Sequence, residues 1–213
     1  MSFNKTKIDW PGLTHTWNPI TGCKRMCSYC YARRIHNRFF KTPFSDIVFR
    51  SQYLECSPPK TANRIFVGSM SDVEYWDKGH LQKIVDYCSN FPEKEFMFLS
   101  KNPVAYCDIY WPENTMQGLT VTKIDTIIEK ENVCRISLFP RPYLSIEPLL
   151  GYVTDQVPDK IELVIVGAMT GTGATKVDKC WVDSVEMLIP KEKLHFKNTI
   201  PILESCGKVE KNE

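Results

Sequence analysis

The sequence predicts an α/β protein: a mostly parallel sheet of about six or seven βα units forming a partial, open barrel of the TIM type. Three observations predict it. Short apolar runs alternate with polar stretches, several of them helical, along nearly the whole chain. The runs are continuously apolar rather than alternating, as strands covered on both faces require. No internal repeat, low-complexity tract or long linker interrupts them, so the 213 residues read as a single domain, 1–213, with its core at about 13–198 and a short C-terminal tail. A doubly wound sheet fits the same pattern. In either architecture ligands gather at the carboxyl ends of the strands.

Taken in order, Leu13–Trp17 is a short strand candidate and 64–68, RIFVG, reads as a buried strand. Residues 81–88 place Leu81, Ile84, Val85 and Cys88 at helical spacing. EFMFL at 95–99 and QGLTV at 117–121 are further strands, and 143–146 is another short apolar run. Leu163–Val166, LVIV, is the clearest strand. Residues 181–188 look helical, and Leu194–Phe196 closes the series.

Hydrophobic residues make up 43% and charged residues 24% of the chain, ordinary for a globular protein. No run of about 20 apolar residues offers a membrane span. MSFNKTKIDWPG lacks the apolar centre of a signal peptide, so the expected compartment is the cytoplasm. The net charge of +2 is uninformative, but its distribution is not. Lys24, Arg25, Arg33, Arg34, Arg38, Lys41 and Arg50 fall in one short region in which Asp46 is the sole acid. Such a basic face can steer a phosphate-bearing or nucleic-acid substrate; it can equally be a solvated helix face. Trp17, Tyr29, Tyr31, Phe39 and Phe40 interleave with these cations, a mixture able to stack on single-stranded bases, or simply an amphipathic helix.

Of nine cysteines, Cys56, Cys88, Cys107, Cys134, Cys180 and Cys206 are scattered singly, as small buried hydrophobes are. Disulfides are not expected in a reducing compartment, and no second cluster of cysteines is visible. Cys23, Cys27 and Cys30 differ, being set C-x3-C-x2-C on one short segment. Three thiolates on one loop can hold three irons of a cubane and leave the fourth open. Gly22 and the preceding Asn18-Pro19 supply the turn such a loop needs. A structural zinc site would need a fourth ligand. The nearest are His15 and His36, and His36, six residues past Cys30, is not an obvious match. The remaining histidines, His80 and His195, read as satisfied surface or core residues, and no Ser/His/Asp or Cys/His constellation is apparent. GAMTGTG follows a strand, but its G-x3-G-x-G spacing does not match a dinucleotide fingerprint.

The C-x3-C-x2-C spacing, with Tyr29 as the aromatic residue before the last cysteine, resembles the signature of radical S-adenosylmethionine (SAM) enzymes. The wider context, TWNPITGC before the cluster and CYA after it, resembles a phage- and prophage-associated three-Cys-motif family. FVGSMSD at 66–72, LSKNP at 99–103, LSIEPLLG at 144–151, VIVGAMTGTGA at 164–174 and HFKN near the end follow that family's motifs in order, across roughly residues 14–198. Two departures stand out. Met169 occupies the place of the family's glutamate in G-G-E-S-G, and Asn102 that of an arginine.

The resemblance implies a 4Fe–4S cluster on Cys23, Cys27 and Cys30 whose open iron chelates SAM. One-electron cleavage gives methionine and a 5′-deoxyadenosyl radical, which takes a hydrogen atom from the substrate. It further implies that Tyr29 packs near the adenine and that Gly68, Ser69, Met70 and Ser71 serve the methionine amino group. Thr120 and Thr122 would reach the ribose, and Gly167 and Gly171 would admit close backbone approach. Each of these can also be read as an ordinary turn residue. An electron donor such as a flavodoxin or ferredoxin is implied as a partner.

The ionisable residues at strand ends are Asp72, Lys101, Glu147 and Lys197. Glu147 is foremost, because the apolar stretch 143–150 contains Ser145 as its one other polar side chain. A carboxylate there needs a partner, for which Lys101 is a candidate, and it faces ligand or braces the fold. The substrate is expected to be a nucleotide, nucleoside or nucleic-acid base. A protein or peptide substrate, as for a glycyl-radical activase, is a second reading, and a non-catalytic iron–sulfur or zinc module a third.

Overall fold

The computed structural model describes residues 2–171 and 173–200. Cys206 lies outside them. In chain order the strands and helices are β1 (Phe3–Lys5), β2 (Leu13–Trp17), β3 (Ile20–Thr21), α1 (Tyr31–Phe39), β4 (Val48–Phe49), β5 (Arg64–Val67), α2 (Lys78–Ser89), β6 (Glu95–Ser100), β7 (Thr115–Val121), α3 (Ile127–Ile136), β8 (Pro142–Ile146), β9 (Leu163–Val166), α4 (Lys179–Leu188) and β10 (Leu194–Phe196).

Eight strands form one sheet in the order β1-β2-β5-β6-β7-β8-β9-β10. β1 is antiparallel to β2, and every other neighbour pair is parallel. Strand order follows chain order without reversal, which separates the two architectures left open by the sequence. A doubly wound sheet reverses at a switch point, whereas this sheet steps in one direction throughout and stays unclosed between β1 and β10. It is an open barrel of seven parallel strands with an antiparallel edge. Two crossovers lack an α-helix: β6 reaches β7 through the 3₁₀ turn Pro103–Tyr106, and β8 reaches β9 through an irregular segment.

The helices start where side chains satisfy their first amides. Asp77 accepts from the His80 amide to begin α2, Asp178 from the Cys180 amide to begin α4, and Thr126 with Glu129 forms a capping box on α3. The outer core packs Leu81, Ile84, Val85 and Cys88 of α2 beneath the sheet. Trp17, fully buried, stacks on Phe3 at 5.3 Å and lies 4.6 Å from Tyr87, joining the antiparallel edge to α2.

A second, smaller cluster fills the barrel: Trp10, Phe66, Met97, Met116, Tyr143 and Ile165. The Tyr143 ring crosses the interior over Gly118, where a Cβ would stand 2.2 Å from it, and Tyr143 Oη donates to the Phe98 carbonyl at 2.9 Å. Below this layer, at the amino ends of the strands, Arg64 pairs with Glu95 and Arg141 bridges Glu95 and Glu162 at 2.9 Å each. The segment before β2 ties the first strands to the last, because Asp9 accepts from the Asn198 amide at 2.7 Å and faces His195 Nε2 at 3.2 Å. No helix among the described residues is long and apolar enough to cross a membrane.

Candidate functional site

Side chains alternate across a strand, so residues two further along from the filling layer rise above it on the same face. Leu99 follows Met97, Thr120 follows Gly118, and Ser145 and Glu147 follow Tyr143. They line a cavity of about 450 Å³ at the carboxyl ends of the strands, together with Phe66, Asp72, Lys101 and all three clustered cysteines.

The cysteine loop is held by a small hairpin. β3 and β4 pair antiparallel, Ile20 with Phe49 and Thr21 with Val48, and enclose residues 22–47. Gly22 adopts φ +98°, and a Cβ there would stand 2.1 Å from the Asp46 carbonyl oxygen, so the turn leading into Cys23 requires glycine. The Cys23 amide donates to the Phe44 carbonyl at 2.8 Å, and Gly22 donates to Met70 at 3.0 Å. Two thiol sulfurs accept backbone amides, Cys23 from Arg25 at 3.5 Å and Cys30 from Arg33 at 3.3 Å. Cys30 is also the N-cap of α1, whose dipole favours negative charge at that point. All three cysteines are free and half-buried. Burial pushes the Cys23 thiol up to about 11, against the lowering effect of the Arg25 amide. Arg25 forms an ion pair with Glu74, and its Nε is buried without a partner among the described residues. Among those residues no three His, Cys, Asp or Glu converge as ligands of one metal ion.

Tyr29 lies in the wall, its pKa pushed up to about 12 by burial. Lys101 Nζ sits 5.5 Å from the centre of the Tyr29 ring and has no carboxylate partner among the described residues; burial lowers its pKa. Asp72 also lines the cavity, but its carboxylate accepts from Ser100 Oγ at 2.7 Å, the Glu74 amide at 3.0 Å and the Lys101 amide at 3.3 Å. Of the residues after β5, Ser69 and Ser71 reach the wall. Ser71 Oγ is engaged with the Ile20 carbonyl and Trp76 Nε1, and Ser69 Oγ with Asn18.

Gly68, Met70, Thr122 and Gly167 stand behind the wall rather than in it, each for a local reason. Gly68 has φ +76° and lies under the Trp76 ring, 2.4 Å from where its Cβ would be. Met70 turns its backbone to Asn18 and Gly22. Thr122 accepts the Leu150 amide through its carbonyl. Gly167 underlies Glu147 and Lys197, with a Cβ only 2.6 Å from Glu147 Oε1. His15 does not reach the cysteines; it is buried in β2 with Nδ1 unpartnered among the described residues.

The partner of Glu147 differs from the expectation. Its Oε1 pairs with Lys197 Nζ at 2.6 Å, not with Lys101, while Oε2 accepts from Trp10 Nε1 at 2.9 Å and Ser145 Oγ at 3.0 Å. Lys197 follows β10, four strands along from β6 and two from β8, and the curl of the sheet brings it over Glu147 at the end of β8. Sequence reasoning missed Trp10, Tyr31, Arg34, Met169, Thr170 and Thr199 as wall residues. The usable signals among them are Met169, at the departure from the family motif, and Tyr31 and Arg34, in the basic and aromatic segment. Arg34 Nη2 donates to the Thr170 carbonyl at 3.2 Å, spanning the mouth from α1 to the loop after β9.

A family model described as "Protein of unknown function (DUF5131)" matches residues 5–198. The chain belongs to this family. No curated protein matches the chain. Two solved structures of spore photoproduct lyase share the fold of this family member. One, a doubly substituted variant with bound AdoMet and dinucleoside spore photoproduct, is 15% identical with a TM-score of 0.50, over 68% of this chain and 48% of that one. The other, complexed with dinucleoside spore photoproduct, is 15% identical with a TM-score of 0.51, over 70% and 49%. The chain spans about half the length of these structures.

Proposed function

We propose that this protein is a radical SAM enzyme that carries a 4Fe–4S cluster on Cys23, Cys27 and Cys30 and modifies a nucleotide, nucleoside or nucleic-acid base. The observation that carries the reading is the placement of three free, half-buried thiols on one loop that also lines a cavity at the carboxyl ends of an open parallel barrel. Their chemistry fits the group. Thiolates are the ligands iron–sulfur clusters take. Amides already point at two of the sulfurs, as outer-shell donors that tune such clusters do. The Nε of Arg25, buried and without a partner among the described residues, is a further donor on the same loop. When bound, the reduced cluster supplies the electron that splits SAM into methionine and a 5′-deoxyadenosyl radical.

The chain's own residues then bind and orient. Lys101, a part-buried cation with no carboxylate partner among the described residues, is suited to the carboxylate of SAM, and Tyr29 offers a ring face beside it. Thr120 and Ser145 present hydroxyls from adjacent strands. Glu147, fixed by Lys197, Trp10 and Ser145, holds a charged acceptor at a set position on the substrate side of the cavity. Asp72 acts as a positioning residue that orders the Ser100–Lys101 turn. A nucleic-acid-derived substrate is supported by the fold shared with structures that hold a dinucleoside. Kinship with the phage-associated three-Cys-motif family rests on motif order alone. A small one-electron protein donor of the flavodoxin or ferredoxin type would supply the electron.

The test is anaerobic reconstitution with iron and sulfide, followed by SAM and dithionite. The expected product is 5′-deoxyadenosine, formed slowly even without substrate. A fully loaded protein that forms none would be a binding module, and the enzyme reading would be withdrawn.

A further inference from the structure

We propose that the exposed face of α1 is a docking track for single-stranded nucleic acid, so that the substrate is a base within a polymer rather than a free nucleotide. The inference rests on the cavity being the site of chemistry. α1 is fastened by little: Ala32 is its one buried residue, while Ile35 is 44% and Phe39 67% exposed, and Phe40, just past the helix end, is 54% exposed. Arg25, Arg64, Arg141 and Lys197 pair with carboxylates, whereas among the described residues the cations on and just past α1, Arg33, Arg34, Arg38 and Lys41, form no ion pair. Nothing in the neighbouring sequence but Asp46 could neutralise them.

Helical spacing orders these groups. Tyr31, Arg34, Ile35 and Arg38 stand at i, i+3, i+4 and i+7, on one face. Tyr31 and Arg34 belong to the cavity wall, so the stripe starts in the site and runs outward. Farther out, the Arg38 guanidinium lies 5.3 Å from the centre of the Phe39 ring. A cation track beside exposed aromatic faces is how single-strand binders hold backbone and bases together. A mononucleotide seated in the cavity would reach Arg34 and leave Arg38 and Lys41 unused; a chain that continues past the mouth would meet them. A duplex would have to release its target base first, since bases are modified outside the stack.

The test is fluorescence anisotropy with the full, anaerobically reconstituted chain and a labelled DNA strand of about twelve nucleotides, within the span single-strand binders occupy. The expected result is binding far tighter than to a mononucleotide, with log affinity falling against log salt at a slope of about −2 to −3, as three or four phosphate contacts require. Arg38→Gln with Lys41→Gln should reduce that slope by about 1.4. Phe39→Ala should weaken binding about tenfold and leave the slope alone. Iron content and melting temperature report whether each variant is folded. The proposal is overturned if the strand binds no better than the mononucleotide, or if neither variant changes binding. It is equally overturned if polyglutamate of matched charge binds as tightly, which would mark α1 as a surface for acidic proteins. These readouts do not need SAM cleavage. Strand binding without cleavage would defeat the proposed activity alone, and cleavage without strand binding would defeat the track alone.

Discussion

Glu147 shows what one side chain can hold in this barrel. Three donors converge on its carboxylate, and it and Lys197 are both about four-fifths covered. Glu147→Gln keeps acceptors for Trp10 and Ser145 but strands the Lys197 charge, so it should cost about 1–2 kcal/mol in urea unfolding. Iron content should be unchanged and turnover lowered at least tenfold; full activity would make the residue a brace. Cys23→Ala, Cys27→Ala and Cys30→Ala should each abolish the brown chromophore and the content of about four irons, whereas Cys88→Ala and Cys134→Ala should not. His15 gives a pH signature. Burial, with Lys5 and Lys94, lowers its pKa from the ordinary 6.5. The unfolded chain therefore takes a proton that the native chain refuses, and stability present above about 6.5 is lost as pH falls below it. Urea midpoints of the wild type should drop between pH 7 and 5, and those of His15→Leu should drop less. The cysteines could be read from the sequence because their spacing is local. Lys197 as partner of Glu147 could not, because that contact depends on how far the sheet curls.

Among elements, the strands were legible and the helices less so. Buried strands such as β9 announce themselves as apolar runs bounded by turns. α3 was passed over because Ile127 and Ile128 sit exposed at its start and blur the helical stripe. Its readable signal was the capping pair Thr126 and Glu129. The basic and aromatic residues of α1 already mark a helix face in the sequence, but that α1 buries only Ala32 is visible only in the fold. β7 carries the sharpest packing constraint. Gly118 lies against the Tyr143 ring, while Tyr106 Oη donates to the Gly118 carbonyl at 2.7 Å. Gly118→Ala should cost about 1–3 kcal/mol by overpacking, measured by urea denaturation, because neither partner is free to move. A neutral outcome would mean that the floor of the cavity is softer than its hydrogen bonds suggest.

For the molecule as a whole, the predicted open barrel is the one found, but the apolar runs also admitted a doubly wound sheet, since they do not record which neighbour each strand joins. Strand order decides it, and strand order also isolates one region. β2 pairs directly with β5, so nothing between residues 22 and 47 contributes a strand to the eight-stranded sheet. The three cysteines and α1 hang from a two-stranded clasp instead. The consequence concerns the order of maturation in time. If the three thiols take the proposed cluster, the scaffold can be completed while they are still bare, and iron can arrive afterwards at a folded recipient. Amide exchange in β5 to β9 should then be equally slow before and after loading, with the gain in protection confined to residues 22–47. Under the proposed function, such a chain can wait, fully built, for its cluster.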